Sequence, residues 1–296
     1  MLAVLLWASL ASTVFAGHLP TSYSTQKSYE YVLLNAAVFA ADPTQCVAKA
    51  TEPAGSWQVV AHSLDVKCPG SNETCGFLVI RSDVYQQYVI VFRGSYGSQI
   101  DDEIFSTFAP RNDFGGGEVH DYFYKAFQAT WPYVESAINS STTSAYDVVV
   151  TGYSLGGAQA ALTATQIVES GLKTAEKIVV WTFGEPRVGN AAFSKQFDAT
   201  FKTVYRVINK ADFIPHVPPC IAKGLKECVA SDLSYYHHST EVWYPDGIQN
   251  LTSTYRISTK PEDPNGSNSL VLAYQLSDHL GYFNTNLQTF GEGNCQ

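Results

Sequence analysis

The sequence predicts an α/β fold, with a central, mostly parallel sheet and helices on both of its faces. Apolar segments of strand length alternate with helical segments along most of the chain, and this alternation is typical of a parallel sheet covered by helices. The 296 residues are 45% hydrophobic and 15% charged. That composition favours a globular protein with one sizeable core over a disordered chain.

The predicted elements follow one another without a break. YEYVLLNAAVFAA has a helical pattern, and CGFLVIRSDVYQQYVIVFRGS has the pattern of a hairpin, two apolar strands about a polar turn. Helices and strands then alternate in YKAFQATWPYVESAI, YDVVVTGYS, GGAQAALTATQIVES, EKIVVWTFG, AAFSKQFDATF and KTVYRVIN. Because no repeat, low-complexity tract or linker separates these segments, we predict a single domain over residues 17–296.

Residues 1–16, MLAVLLWASLASTVFA, have the composition of a secretory signal peptide. They contain an apolar run and no charged side chain, and Val14 and Ala16 fit a cleavage site before Gly17. The segment departs from the usual pattern in having no Lys or Arg near its start. A buried helix or a membrane anchor is the alternative, but the run is short for a bilayer span. We therefore expect a secreted, extracellular protein without an integral membrane segment.

The charge balance excludes one class of partner. The chain has 18 Lys and Arg residues against 27 Asp and Glu residues, which gives a formal charge of -9. A broad basic surface that would attract nucleic acid or an anionic membrane is therefore not expected.

Cysteine and asparagine positions suit an extracellular protein. The six cysteines are even in number, and none falls in the C-x-x-C spacing of metal and redox sites. Six cysteines permit fifteen connectivities. The short spacings and the remaining pair favour Cys68 with Cys75, Cys220 with Cys228 and Cys46 with Cys295. Four N-x-[ST] sequons in polar segments predict glycosylation at Asn72, Asn139, Asn250 and Asn265.

The segment YDVVVTGYSLGGAQAALTATQIV carries the main chemical signal. GYSLG matches G-x-S-x-G, with a strand-like segment before it and a helical segment after it. Glycines two residues before and after Ser154 let strand and helix pass closely and expose the hydroxyl at the bend. The helix N-terminus favours the negative charge that develops in acyl transfer. The segment predicts a nucleophilic serine, and a glycine-rich turn with an incidental serine is the alternative.

A nucleophilic serine needs a histidine base and a carboxylate that orients the base. In α/β-hydrolases these residues follow in the order serine, acid, histidine. His279 in LSDHLGYFN comes after the last strand-like segment, and Asp212 in VYRVINKADFIPHVPP lies between a strand-like segment and a proline-restrained turn. Both are candidates, although Asp212 also fits a simple turn cap. The other histidines after the serine are expected to be hydrogen-bonded structural residues, and these are His216, His237 and His238.

Six segments together resemble the class 3 lipases secreted by fungi, whose relatives include feruloyl esterases. VIVFRGS resembles the oxyanion strand of that family, VTGYSLGGA its elbow, TFGEPRVGN its next strand and turn, and NKADFIPHVPP its acid segment. HHSTEVWY resembles a structural strand and DHLGYF the histidine segment, and the six occur in the family's order. The resemblance covers most of the chain after residue 16 and implies an α/β-hydrolase fold.

Transferred to this sequence residue by residue, the resemblance implies a complete catalytic set. Ser154 would be the nucleophile, His279 the general base and then the general acid, and Asp212 the carboxylate that orients the imidazole. The oxyanion hole would consist of the backbone N–H groups of Leu155 and Ser95, with the Ser95 hydroxyl as a further donor. Ser95 ends a strand-like segment, where a second N–H donor is needed, and an ordinary turn residue is the alternative reading.

The segment YGSQIDDEIFSTFAPRNDF lies where these lipases carry a mobile lid. Its apolar residues recur at helical spacing opposite three acidic residues, and they are Ile100, Ile104, Phe105 and Phe108. We predict a short amphipathic lid helix, with a fixed surface helix as the alternative. The segment lacks the tryptophan of several family lids, and the elbow carries Tyr153 where the family usually has histidine.

These features predict a serine carboxylic-ester hydrolase that cleaves acylglycerols through an acyl-serine intermediate. It would act as a monomer on a lipid or ester substrate at a lipid–water interface, without a metal or organic cofactor. A feruloyl esterase is the nearest alternative, because GEPR suits that group, whereas the apolar lid face favours lipid. A secreted homologue that kept the fold and lost the activity is a further alternative, which the intact set of Ser154, Asp212 and His279 disfavours.

Overall fold

The computed structural model describes residues 19–51, 56–69, 72–96, 110–271 and 273–296. Two predicted features lie outside the described residues. One is the signal peptide of residues 1–16, and the other is the lid helix with Ile100, Ile104, Phe105 and Phe108.

The strands form one large sheet and two small ones. In chain order the strands are β1 (Gln58–Lys67), β2 (Thr74–Ser82), β3 (Gln87–Phe92), β4 (Arg111–Phe114), β5 (Gly117–His120), β6 (Asp147–Tyr153), β7 (Ile178–Phe183), β8 (Gly189–Asn190), β9 (Val204–Asn209), β10 (Ala222–Lys223), β11 (Glu227–Cys228), β12 (Tyr235–Tyr236), β13 (Glu241–Tyr244) and β14 (Arg256–Ser258). Within the described residues, the large sheet has the order β1-β2-β3-β6-β7-β9-β13-β14.

The centre of the large sheet is parallel, as predicted. β3, β6, β7, β9 and β13 run parallel to one another. Antiparallel strands complete both edges, and β2 with β3 forms the predicted hairpin. In a parallel sheet the carboxyl ends of the strands meet at one edge, so the loops that follow β3, β6, β7 and β9 gather there.

Helices cover both faces of the large sheet. They are α1 (Thr25–Ala37), α2 (Thr44–Ala50), α3 (Asp121–Ile138), α4 (Leu155–Glu169), α5 (Ala191–Thr200) and α6 (Leu287–Glu292). Side chains alternate along β6, so Val148 and Val150 pack with α3, α4 and α5, while Val149 packs with α1, α2 and α6. Among the described residues, no helix combines the length and apolar character that crossing a membrane requires.

The small sheets were not predicted from the sequence. β12, β8, β5 and β4 form one of them, and β10 pairs with β11 in the other. These strands are only two to four residues long. So short a segment has too few residues to show a period of two.

The predicted disulfide pairing is confirmed. The bridges are Cys46–Cys295, Cys68–Cys75 and Cys220–Cys228. The first bridge closes 249 residues of chain, whereas the second and third close 7 and 8 residues. The long bridge therefore ties α2 to the C-terminal end of the chain.

Candidate active site

Ser154 occupies a strained bend between β6 and α4. Its backbone has φ 57° and ψ -128°, a left-handed conformation that is rare for residues with a side chain. A Cβ at Gly152 would overlap the Gly156 carbonyl group, and a Cβ at Gly156 would overlap the backbone carbonyl of Phe92. Both glycines of the motif are thus required for strand and helix to approach as closely as they do.

Backbone hydrogen bonds hold the bend against the sheet. The Ser154 N–H donates to the Phe183 carbonyl oxygen at 2.9 Å, and the Gly157 N–H donates to the Ser154 carbonyl oxygen at 2.8 Å. The serine side chain is therefore fixed at the carboxyl edge of the sheet, although the residue is only 1% exposed.

Asp212 and His279 meet at the same edge. Asp212 follows β9, and His279 follows a short 3-10 turn at Leu276–Asp278. The Gln275 N–H donates to the Ala211 carbonyl oxygen at 2.7 Å, which fastens the histidine loop (residues 273–283) to the acid loop after β9 (residues 210–219). The imidazole Nδ1 of His279 then lies 2.9 Å from both carboxylate oxygens of Asp212. Both residues are buried, so this contact is shielded from solvent.

Two further donors orient the Asp212 carboxylate. The Tyr282 hydroxyl donates to Asp212 Oδ2 at 2.8 Å, and the Ile214 N–H donates to Oδ1 at 2.9 Å. Burial, and then the charge of Asp212, raise the pKa of Tyr282 well above its ordinary value, so the phenol keeps its proton. Sequence reasoning missed Tyr282, whose only signal was its place in DHLGYF.

Tyr153 contacts the candidate base directly. Its ring stacks on the His279 imidazole, with 4.6 Å between ring centroids and 21° between ring planes. Its hydroxyl donates to the His279 backbone carbonyl oxygen at 2.8 Å. The sequence identified Tyr153 only as a departure from the family pattern, whereas the structure gives it a place in holding the imidazole.

Ser154 and His279 share a pocket of about 200 Å³. Ser95, from the loop after β3, lines the same pocket, and Leu155 is the first residue of α4. Among the described residues, Ser154 Oγ and His279 Nε2 are buried atoms without a hydrogen-bond partner. The hydrogen bond that would join these two atoms is therefore not formed, and catalytic hydrogen bonds of this kind can tighten when a substrate binds.

The other histidines of this region serve the fold. The His216 ring stacks on Tyr274 with 3.7 Å between centroids, and His237 Nε2 lies 2.6 Å from the Pro215 carbonyl oxygen. His238 Nε2 pairs with the buried Glu185 carboxylate at 2.7 Å. None of these imidazoles is among the described residues that line the pocket of Ser154 and His279.

A buried ion pair anchors the acid loop. Arg187 Nε lies 2.6 Å from Glu262 Oε1, and Arg187 Nη1 donates to the backbone carbonyls of His216 and Pro218 at 2.7 and 3.1 Å. Glu262 also accepts the His237 N–H at 2.9 Å. Burial alone would raise the pKa of Glu262, but the Arg187 charge, together with smaller contributions that include hydrogen bonds from Arg187 and Asn268, outweighs it and holds that pKa well below its ordinary value. Sequence reasoning missed this pair, because 75 residues separate its members.

The fold and the site define the class of protein. A mostly parallel sheet carries a strained elbow serine, an acid loop and a histidine loop at its carboxyl edge, and this arrangement is the α/β-hydrolase fold. The described residues contain no cluster of His, Cys, Asp and Glu side chains suited to a metal ion.

Comparisons with known proteins agree with this class. Residues 89–222 match the family model described as lipase (class 3). A Caenorhabditis elegans protein named as a lipase is 35% identical over 293 residues, which cover 92% of this chain and 83% of that protein. A lipase of Rhizopus niveus is 33% identical, over 76% of this chain but only 53% of its own length.

Solved structures add the three-dimensional likeness. One is a triacylglycerol lipase whose catalytic centre is described as a serine protease triad. It has a TM-score of 0.70 and 26% identity, over 89% of this chain and 95% of that one. The chain belongs to the class 3 lipase family, and it is a lipase-type ester hydrolase.

Proposed function

We propose that the protein is a secreted serine hydrolase of acylglycerol esters, with Ser154, His279 and Asp212 as its catalytic residues. One observation carries this proposal. Nδ1 of His279 lies 2.9 Å from the Asp212 carboxylate oxygens, while His279 and Ser154 line the same pocket. A carboxylate that fixes one ring nitrogen leaves the other as a base for a serine proton.

The proposed reaction has two halves. Ser154 Oγ attacks the ester carbonyl carbon while its proton passes to Nε2 of His279. The imidazolium then gives this proton to the alcohol oxygen of the ester. The bond between this oxygen and the carbonyl carbon breaks, and an acyl-Ser154 ester remains. In the second half, a water molecule loses a proton to His279 and attacks the acyl carbon, and the fatty acid leaves as the proton returns to Ser154.

The oxyanion of each half-reaction needs donors at the elbow. We assign this role to the backbone N–H groups of Leu155 and Ser95. Leu155 begins α4, so its N–H is among those without an acceptor inside the helix, and the helix dipole favours negative charge there. Ser95 lines the pocket from the loop after β3, the parallel neighbour of β6. Donors already in position lower the barrier without reorganisation.

Secretion is part of the proposal. Every cysteine of the chain is in a disulfide, and such bridges persist in oxidising compartments. The sequon residues Asn139 and Asn250 are exposed, which suits glycosylation in the secretory pathway. Glycosidase treatment of the secreted protein should lower its apparent mass.

Substitution of the serine tests the catalytic role. Ser154→Ala should lose more than about a thousandfold in kcat on p-nitrophenyl butyrate and should no longer react with a fluorophosphonate probe. Ser144→Ala is the matched control, because Ser144 is exposed and its hydroxyl donates to the Ser141 carbonyl oxygen at 3.0 Å, away from the pocket of Ser154 as the described residues define it. Retained activity of Ser154→Ala in a folded protein would refute the assignment.

A substrate comparison tests the acylglycerol preference. Glu185 of the GEPR segment is buried against His238, so this segment serves the fold and no longer favours a feruloyl esterase. Emulsified triolein should be cleaved faster than methyl ferulate. The reverse order would assign the protein to the feruloyl esterases, and labelling of Ser154 without turnover of either ester would point to another acyl group.

A further inference from the structure

A short hairpin beside the acid loop has an exposed apolar tip. β10 and β11 are paired, and the Cys220–Cys228 disulfide closes their base. Leu225 at the turn is 78% exposed and Ile221 is 48% exposed. An exposed leucine is ordinary by itself, but here it stands at the end of a stapled, protruding element.

The hairpin stands at the edge of the sheet that carries the candidate active site. It begins eight residues after Asp212 in the sequence. A concavity of about 220 Å³ is lined by Leu225 together with His216 of the acid loop and Tyr274 of the histidine loop. The Arg187 guanidinium also lies 3.6 Å from Cys228 Sγ at the base of the hairpin. The tip is therefore held in a fixed position relative to the two loops that supply Asp212 and His279.

The histidine loop adds apolar surface on this side. Leu276 is 41% exposed and Leu280 is 48% exposed, on either side of His279. Leu280 also lines the pocket of Ser154. The same loop therefore contributes to both places: Leu280 lines the pocket of Ser154, and Tyr274 lines the concavity beside the hairpin tip.

The lysines next to Leu225 could contact lipid headgroups while the leucine lies below them. Lys223 and Lys226 flank the tip and are exposed, as is Glu227, which lies opposite Lys223 in the hairpin. Two lysines and one glutamate leave the tip cationic, whereas the whole chain has a formal charge of -9. Lysine side chains can bury their methylene stems and keep the ammonium group at the headgroup level. In an acidic protein, this locally cationic tip favours contact of an anionic lipid surface with the tip over contact elsewhere.

We propose that the hairpin is a lipid anchor that inserts Leu225 below the headgroups of a lipid surface, with Lys223 and Lys226 beside the phosphates. This inference rests on the proposed function, because the anchor brings the Ser154 pocket to the surface that holds acylglycerol. The disulfide and the β10–β11 pairing keep the tip ordered before it binds, so little conformational entropy is lost on contact.

Vesicle binding tests the anchor. The protein carries Ser154→Ala in every arm, so that no lipid is cleaved, and it is mixed with phosphatidylcholine vesicles with or without 20% phosphatidylglycerol. Leu225→Ser should weaken partition by about tenfold on both vesicles, since one buried leucine side chain is lost. Lys223→Gln with Lys226→Gln should weaken partition mainly on the anionic vesicles.

Two control variants separate the anchor from general surface hydrophobicity. Leu233 is 77% exposed but lines another concavity, beside Arg111 and Glu118. Val84 is 52% exposed in the turn before β3, at the opposite edge of the sheet from Ser154. Leu233→Ser and Val84→Ser should bind vesicles as the parent does. Equal binding by Leu225→Ser and the parent, or equal losses in all three variants, would overturn the inference.

Activity measurements keep this inference distinct from the proposed function. With Ser154 present, Leu225→Ser should retain the parent's kcat/KM on soluble p-nitrophenyl butyrate. Its rate of hydrolysis of emulsified triolein should fall several-fold. Binding that depends on Leu225 without triolein turnover would support the anchor and refute the acylglycerol hydrolase. If Leu225→Ser abolished self-association in sedimentation instead of vesicle binding, the tip would be a contact between two copies of the chain, and the anchor would be wrong.

Discussion

Gly184 leaves the space that the His279–Asp212 pair fills. It follows β7 with φ +56°, and a Cβ on it would lie 2.7 Å from His279 Cε1 and 2.8 Å from Asp212 Oδ2. Neither group can retreat far, because Asp212 is also held by Tyr282 and the Ile214 N–H. Glycine is therefore required here both for its backbone conformation and for its lack of a side chain.

We expect Gly184→Ala to lose at least about tenfold in kcat on p-nitrophenyl butyrate, because small displacements in a catalytic site are costly. Gly171→Ala is the matched control, since Gly171 has φ +71° and a Cβ there would meet nothing within 4 Å. Both variants should lose about 1–2 kcal/mol of stability from the left-handed backbone. Equal kcat in the two variants would contradict a catalytic role for the pair.

Tyr282→Phe isolates one hydrogen bond to the carboxylate. The Tyr282 hydroxyl donates to Asp212 Oδ2 at 2.8 Å. Tyr282 is not among the described residues that line the pocket of Ser154 and His279. A hydrogen bond to a charged group contributes about 1.5–3 kcal/mol, so kcat should fall about tenfold or more while KM changes little. Tyr133→Phe, at a ring that is 54% exposed, should change neither constant. A rise in KM with kcat unchanged would show that Tyr282 acts in substrate binding instead.

The candidate site was only partly predictable from sequence. Ser154, Asp212 and His279 each lie in a segment with its own local signal, and their order along the chain suggested their roles. The structure brings Asp212 and His279 into contact, and it brings Ser154 and Ser95 to the same pocket. Tyr282 has no comparable local signal, because its partner lies 70 residues away and depends on how the C-terminal loop folds back.

At the scale of elements, the alternating segments predicted the large sheet well. Its buried parallel strands are mostly apolar segments of four to seven residues, although Arg206 interrupts β9 and Glu241 begins β13. The helices between them have an apolar face. β4, β5, β8 and β12 were missed because their pairing is decided by tertiary contacts. For example, Asn190 Oδ1 accepts the Glu118 N–H at 3.1 Å across 72 residues.

Acid should destabilise the fold through two buried histidines, one in the acid loop and one in contact with it. Burial, and then the Arg187 charge, lower the pKa of His216 from 6.5 to about 3. Burial and Arg206 lower the pKa of His237 well below 6.5. Below pH 6.5 these histidines bind protons in the unfolded chain but stay neutral in the folded protein. The free energy of unfolding therefore falls as the pH decreases. Glu262, whose pKa is lowered in the folded state, adds a loss that begins below about pH 4.5.

We expect the free energy of unfolding in urea to decrease by about 1 kcal/mol or more per pH unit between pH 6.5 and 4.5. His216→Phe keeps a ring to stack on Tyr274 and cannot be protonated, so its stability should fall less steeply over this range. Above pH 7 the difference between the two proteins should be constant, which serves as the internal control. Parallel curves from pH 8 to 4 would contradict the assigned cause.

At the scale of the whole molecule, the N-terminal and C-terminal regions pack together on one face of the sheet. Cys46 of α2 is bridged to Cys295, and the Lys49 ammonium donates to the Cys295 carbonyl oxygen at 2.9 Å. A Cβ at Gly291 of α6 would overlap the Ala36 carbonyl group of α1, so these helices are in close contact. Contacts of such high sequence separation are costly in chain entropy.

Removal of the long disulfide should therefore cost more than removal of a short one. The Cys46–Cys295 bridge spans 249 residues and the Cys68–Cys75 bridge spans 7. The loss of unfolded-chain entropy that each bridge causes stabilises the fold by about 5 kcal/mol for the long bridge and by roughly 2–3 kcal/mol for the short one. Cys46→Ala with Cys295→Ala should lower the free energy of unfolding in urea more than Cys68→Ala with Cys75→Ala does. Below their unfolding transitions, both variants should keep activity on soluble p-nitrophenyl esters. The described residues that line the pocket of Ser154 and His279 include no cysteine. Equal losses would mean that native packing around the bridges, and not the length of the closed chain, decides their contribution.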